Sequence, residues 1–457
     1  MDARGGRVAG GDRAVVMGAG VAGLLAARVL ADHFGEVVVL DRDVLPDEPM
    51  CRRGIPQGRH LHTLLPGGFD IASRYFPGLG DDLLEAGAVR TRFGQDLCVI
   101  RPEGRSYLAA VYRPEPLATG IGSYSMSRGL LEHVVRRRLS EFPGVTVLGG
   151  HAVHAPVVDG GAVTGVELED GARVAAGLVV DTSGRAARSL GWLPALGCDP
   201  PEESVIQCDF AYASAVVRPR DPRALEGSGV MVVPDPASAT PTRAGYLVPI
   251  EDGLWMAGLG GRFGDYPPTP EPAWRAFGAT LASPMWHDLV ATATVVDGPH
   301  AFRFPRSVRR HVERMPRFPR GLVLLGDAVC QVNPVYGHGM SSAALQARAL
   351  DDALTERASY GGSLDDVAEV FAPRAFEATR APWAIAAGSD ILTPGTRGDF
   401  PEDDLDRLLR FARLGTTIDD DPAAAALFVD IFTLRQPLTA LDEAPWPTLL
   451  AATAAGV

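Results

Sequence analysis

The sequence predicts an α/β protein: a parallel sheet packed against helices, a second sheet built from antiparallel strands, and a helical C-terminal region. Three observations lead there. Two short Val-rich runs, Arg13 to Met17 and Glu36 to Leu40, flank a glycine turn and an apolar Leu/Ala-rich segment. From Val205 to Gly260 strand-like runs follow one another with no long helix between them, the pattern of an antiparallel sheet. After Phe371 the text reads as helical segments broken by Asp/Pro-rich loops.

Taken in order, Arg13–Met17, the turn Gly18-Ala19-Gly20-Val21-Ala22-Gly23, the helix over Leu24–Ala31 and the strand Glu36–Leu40 ending at Asp41 form one βαβ unit of about thirty residues. Arg128–Leu139 reads as a helix and Val145–Leu148 as a strand. Three short β runs follow (152–158, 163–168 and 173–175), separated by the turns Asp159-Gly160-Gly161 and Asp170-Gly171. Leu178–Val180 is a further buried strand. Within the second sheet, runs at 211–217, 229–233, 245–249 and 254–259 are expected to pair. A Pro-rich stretch, 267–272, leads into a helix near 273–281. Parallel-sheet text resumes at Gly321–Leu325, and Met340–Ala353 is a long helix.

Composition removes several classes of function. With 457 residues, the chain should build two or three packed units. A net charge of -13 disfavours nucleic acid. There is no long uninterrupted apolar run, so no integral membrane segment is expected. Met1–Arg13 is Gly/Arg-rich without the apolar core of a secretory signal, so a cytoplasmic protein is expected. The five cysteines, Cys51, Cys98, Cys198, Cys208 and Cys330, are widely spaced and read as reduced structural thiols. All 43 basic residues are arginine. Schiff-base chemistry, attachment of pyridoxal phosphate and a Walker-type phosphate lysine are therefore excluded.

The glycine turn carries the clearest chemistry. Gly18 permits the sharp bend, Gly20 lets the backbone approach a pyrophosphate, and Gly23 lets helix and strand pack. Val21 and Ala22 open a helix whose N–H groups and dipole favour phosphate. Asp41, with Arg42 beside it, sits where a carboxylate meets the hydroxyls of an adenosine ribose. A second cluster follows the strand 322–325: Gly326-Asp327-Ala328, then Asn333-Pro334-Val335-Tyr336-Gly337-His338-Gly339-Met340.

These two signatures together resemble the FAD-binding aromatic hydroxylases and flavin epoxidases. The run Pro56-Gln57-Gly58-Arg59-His60-Leu61-His62-Thr63-Leu64-Leu65 is similar to that of a bacterial subgroup containing polyether epoxidases from polyketide biosynthesis. The resemblance implies a Rossmann-like FAD-binding domain at 1–75, 120–195 and 300–355. A substrate-binding sheet domain at 76–119 and 196–299 and a helical region at 356–457 complete it. It implies that Asp327 holds the ribityl chain, preceded by Gly326, and that Pro334, Gly337, His338, Gly339 and Met340 lie near the flavin ring. Arg53, Arg59, Arg128, Val153 and Asp181 become further cofactor candidates. No side chain is assigned as catalytic, because the flavin carries the chemistry, and no metal is expected from His60 and His62.

The implied activity is hydroxylation or epoxidation of a small hydrophobic, polyketide-like molecule by oxygen activated on reduced FAD. NADPH, NADH or a separate flavin reductase would supply electrons. The segment Asp181-Thr182-Ser183-Gly184-Arg185-Ala186-Ala187 departs from the family pattern. That departure keeps two alternatives: a [4+2] cyclase with structural FAD, and a flavin reductase or dehydrogenase. Halogenation is disfavoured, since the related halogenases use a catalytic lysine. Phe210, Tyr212, Trp255 and Met256 are candidate pocket lining, although strand alternation favours the core for each.

Overall fold

A computed structural model describes residues 12–92, 96–100, 106–109, 122–221, 224, 229–234, 238–317, 320–418, 421–443, 445 and 446. The rest of the Gly/Arg-rich opening, parts of 93–121 and the last eleven residues lie outside the described residues, as does the side chain of Cys98.

The first sheet is wholly parallel. Its strands lie in the order Leu322–Leu324, Leu178–Asp181, Arg13–Met17, Glu36–Asp41, Val145–Gly149. Parallel strands are covered on both faces, so they read as continuous apolar runs rather than alternating ones. The two faces bury different partners. Ala14, Val16, Val37, Val39 and Val180 pack under the helices Val21–His33, Arg128–Ser140 and Gly339–Ser359. Val15, Met17, Val38, Leu40 and Val179 pack instead on a three-stranded antiparallel sheet, Val153–Asp159, Ala162–Leu168 and Arg173–Ala175, and on Trp383, Ala386 and Ala387 of the helix Val367–Ile391.

The second sheet has seven strands in the order Thr294–Phe304, Phe210–Arg218, Trp255–Arg262, Ala244–Pro249, Gly229–Val232, Asp96–Ile100, Ser106–Ala109. It is antiparallel except where Gly229–Val232 runs parallel to Asp96–Ile100. Period-two alternation splits its faces. Ala213, Ala215, Val217, Trp255, Ala257 and Leu259 pack against Trp274, Phe277 and Trp286, so Trp255 belongs to this core. Trp274 and Trp286 come from the short helices Glu271–Gly278 and Met285–Ala291. The opposite face carries Phe210, Tyr212 and Ser214, in register with Arg262, Gly260 and Gly258. A Cβ at Gly258 would lie 1.9 Å from the Tyr246 ring, and one at Gly260 would lie 2.6 Å from the Phe210 ring. Those two glycines let aromatic rings lie flat across the sheet.

The C-terminal region is helical as expected, with Val367–Ile391, Glu402–Thr417 and Pro422–Phe432 sharing an apolar cluster. Among the described residues no helix is long and apolar enough to cross a membrane.

Candidate functional site

A cleft of about 440 Å³ opens at the carboxyl ends of the parallel strands, where open α/β sheets place their ligands. Its floor is the glycine turn. Gly18 has φ +109° and donates its N–H to Leu40 O at 2.7 Å. A Cβ at Gly23 would stand 1.8 Å from Gly18 O, so strand end and helix start meet with no room for a side chain. The helix Val21–His33 begins at Gly20 with no side-chain cap, leaving first-turn N–H groups for an anion.

Charged side chains frame this turn. Asp41 accepts from Ala19 N at 2.7 Å and Asp43 N at 2.9 Å, and pairs with Arg52 at 2.9 Å. Arg52 also donates to Ala19 O at 3.0 Å and pairs with Glu132 at 3.2 Å. Asp41 therefore fixes the turn as well as lining the cleft. Arg128 is held by Glu132 at 2.7 Å, and its Nη2 lies 3.8 Å from where a Cβ would stand at Gly20.

Further along the cleft, Asp327 lies after the strand Leu322–Leu324, near Gly339. Its carboxylate takes no hydrogen bond from the described residues. Burial pushes its pKa up, and Arg128, Arg185 and Arg310 pull against that. Beside it starts the helix Gly339–Ser359, also without a side-chain cap. Pro334, Gly337, Gly339 and Met340 line this end. The facing wall is aromatic: Tyr212, Phe302 and Phe304 come from the second sheet, with the Arg185 guanidinium 4.9 Å over Phe302.

The turn beneath this end is anchored from the C-terminal region. Asp390, fully buried, accepts from Arg262 at 2.6 Å, from Asn333 Nδ2 at 3.1 Å and from Tyr336 Oη at 2.9 Å. Burial and this carboxylate together push the Tyr336 hydroxyl well above its ordinary pKa.

Of the residues expected from sequence, the cleft gathers Gly18, Gly20, Val21, Ala22, Asp41, Arg42, Arg128, Val153, Asp327, Pro334, Gly337, Gly339 and Met340. Gly23 and Gly326 sit behind the lining. The latter donates its N–H to Gln346 at 2.8 Å. Arg53 and Arg59 are exposed and outside the lining; Arg59 reaches His300 at 3.0 Å instead. Asp181 is fully buried and accepts from Ser183 N, Ser189 N and Ser189 Oγ. It shapes the following loop, whose Thr182–Ala186 and Arg188 do line the cleft. His338 is turned away, bonded to Phe432 O at 3.0 Å. Sequence reasoning missed Arg52 and His151 in the lining.

His60 and His62 part company. His60 is buried against Tyr212 and meets Ser214 Oγ at 2.8 Å, whereas His62 lines the cleft. No cluster able to hold a metal occurs among the described residues. Cys51, Cys198, Cys208 and Cys330 are free thiols.

Fold and cleft together define an α/β protein of the architecture used by FAD-dependent halogenases and monooxygenases. The flavin-dependent brominase Bmp2 has the same fold, with a TM-score of 0.70 at 16% identity over 98% of this chain and 98% of that one. PqsL, a probable FAD-dependent monooxygenase from Pseudomonas aeruginosa, superposes with a TM-score of 0.59 at 18% identity, covering 92% of this chain and 99% of that one. Residues 104–222 match the tryptophan halogenase family model. The chain belongs to the family of Protein Rv3254 of Mycobacterium tuberculosis (strain ATCC 25618 / H37Rv), to which it is 31% identical over 453 residues, 95% of this chain and 92% of that protein.

Proposed function

We propose that the chain is an FAD-dependent monooxygenase that hydroxylates or epoxidises a small hydrophobic, polyketide-like molecule. The observation that carries this is the Asp327 carboxylate, which lines the cleft with no hydrogen-bond donor among the described residues, in the same cleft as two uncapped helix starts. A half-buried carboxylate with no hydrogen-bond donor has lost hydration without compensation; the hydroxyls of a ribityl chain are the donors it lacks. The helix start at Gly20 and Arg128 suit a pyrophosphate. The lining beyond it, Asp41, Arg42, His151 and Val153, extends the site to the adenosine half that distinguishes FAD from FMN.

Bound FAD supplies a ring that can be reduced and can activate molecular oxygen. The chain's own residues prepare the surroundings. The helix start at Gly339 and Met340 offers N–H groups and a dipole that stabilise negative charge on a reduced ring. Tyr212, Phe302 and Phe304 form an apolar wall that excludes water and gives a hydrophobic substrate its contact surface. Halogenation is the second reading, favoured by the family-model match over 104–222. Against it stands the absence of any lysine amine in the sequence.

The test has two stages. Anaerobic addition of NADPH, NADH or a flavin reductase to the FAD-loaded protein should bleach the flavin. Turnover of polyene or aromatic polyketide candidates under labelled oxygen gas should then place one labelled atom in the product. Bromide- or chloride-dependent product without label would favour halogenation. An isomeric product formed anaerobically with oxidised FAD would overturn both in favour of a cyclase.

A further inference from the structure

The segment from Arg59 to Leu65 is clamped from both sides. Towards the second sheet, Arg59 reaches His300, and His60 Nδ1 meets Ser214 Oγ, which lies 2.5 Å from the Tyr246 hydroxyl. Towards the parallel sheet, Leu65 N donates to Ser341 Oγ at 2.9 Å, and the Thr63 methyl packs where a Cβ at Gly337 would come within 2.5 Å. His62 sits in the middle of this segment, in the cleft lining, and its orientation is set by one bond. Its Nδ1 lies 3.0 Å from the carbonyl oxygen of His60. A carbonyl only accepts, so Nδ1 must carry the proton. In the neutral ring Nε2 is then an acceptor. The ring does stay neutral: burial pulls its pKa to about 3, and Arg128 reinforces that. Nε2 takes no hydrogen bond from the described residues.

We infer that His62 is a second contact for the cofactor's polyol chain, its Nε2 accepting a hydrogen bond from a ribityl hydroxyl. The inference rests on the FAD reading above. Its support is the polarity along the cleft. The helix starts at Gly20 and Gly339 present donors, which suit the oxygens of a pyrophosphate and of the flavin's pyrimidine edge. Asp327 and His62 Nε2, two lining groups with no hydrogen bond from the described residues, are both acceptors. His62 adjoins Thr63, which packs on the Gly337 turn, and it feels the charge of Arg128, whose guanidinium lies over Gly20. That is the stretch joining phosphate to ring, where the cofactor's own donors are hydroxyls. A phosphate there would be repelled by an acceptor nitrogen; a polyol is matched by it.

The experiment is a double cycle on flavin binding, independent of turnover. Apoprotein is titrated with FAD and with FAD analogues in which one ribityl hydroxyl at a time is replaced by hydrogen, following fluorescence quenching. His62→Phe is expected to weaken FAD by roughly three- to tenfold, the effect of one neutral hydrogen bond. One deoxy analogue should lose the same factor on the wild-type protein and lose nothing further on His62→Phe. His62→Gln, whose amide oxygen can stand near the Nε2 position, should recover most of the affinity and guards against a folding defect in His62→Phe. The inference is overturned if His62→Phe binds FAD as tightly as the wild type, or if it weakens FAD and every analogue by the same factor. Wild-type protein that binds no FAD at all would instead overturn the FAD reading itself.

Discussion

The two sheets meet at one cleft and contribute to it in opposite ways. The parallel sheet offers its strand ends: backbone N–H groups, close-packed glycines and charged side chains held by one another. The antiparallel sheet offers a face, made of the rings of Tyr212, Phe302 and Phe304. One wall presents fixed dipoles and charges; the other supplies apolar surface. On the proposed function, cofactor affinity and substrate selection are separable, because each would rest on a different sheet.

The largest effect that tests this division is at the glycine turn. Gly23→Val forces a Cβ onto Gly18 O. It should destabilise the fold by about 3 kcal/mol or more and abolish flavin retention. Thermal melting together with the flavin-to-protein absorbance ratio measures both, and a yellow protein with an unchanged Tm would break the account of the turn.

Next comes Asp327→Ala. A charge-assisted hydrogen bond is worth roughly 1.5–3 kcal/mol, so FAD should bind at least about tenfold more weakly. Equilibrium titration decides, and an unchanged Kd removes Asp327 from the ribityl site.

The buried histidines predict a pH effect of intermediate size. His60 and His62 have pKa values lowered to about 3, and His338 to about 4, in each case chiefly by burial. The unfolded chain takes up these protons below about pH 6.5. Stability is therefore fully present above that value and falls as the pH drops from about 6.5 towards 3. The loss should be on the order of 1–2 kcal/mol per histidine between pH 7 and pH 5. Urea unfolding at the two pH values measures it, and His60→Phe should flatten the slope.

The smallest effect on flavin is predicted for the aromatic wall. Phe302→Leu should leave FAD affinity within about twofold, since the change keeps an apolar contact. It should raise the substrate KM and the share of reducing equivalents lost as hydrogen peroxide. A tenfold loss of FAD affinity in this variant would erase the division between the walls.

How much of this could be read from the sequence follows the range of the interactions involved. The βαβ unit was legible because its signals are local: apolar runs, a glycine turn and an acid at the strand end. The neighbouring arginines were not resolved. Arg52 is buried among carboxylates while Arg53 is exposed, and a loop has no period to say which of two adjacent side chains turns inward. His338 was misdirected because its partner, Phe432 O, is 94 residues away. The aromatic wall needed register: Tyr212 pairs with Phe302, and Phe210 with Phe304, across strands that are not consecutive. Asp181 looked like a ligand by its neighbours in sequence, yet its oxygens are already taken by the loop that it shapes.

Asp390 has a consequence for how this molecule can change over generations. It joins Arg262 of the antiparallel sheet, Asn333 and Tyr336 of the turn under the cleft, and a helix of the C-terminal region. Losing the acid alone strands a buried guanidinium, a loss of about 3–5 kcal/mol for pairs of this kind. Replacing the arginine alone strands the acid. Acceptable replacements must therefore arrive together, from three stretches of chain far apart in sequence. A chimera that takes its last hundred residues from a relative should fold only when the donor brings a carboxylate to the same place, so those residues descend with the cleft rather than as an exchangeable tail.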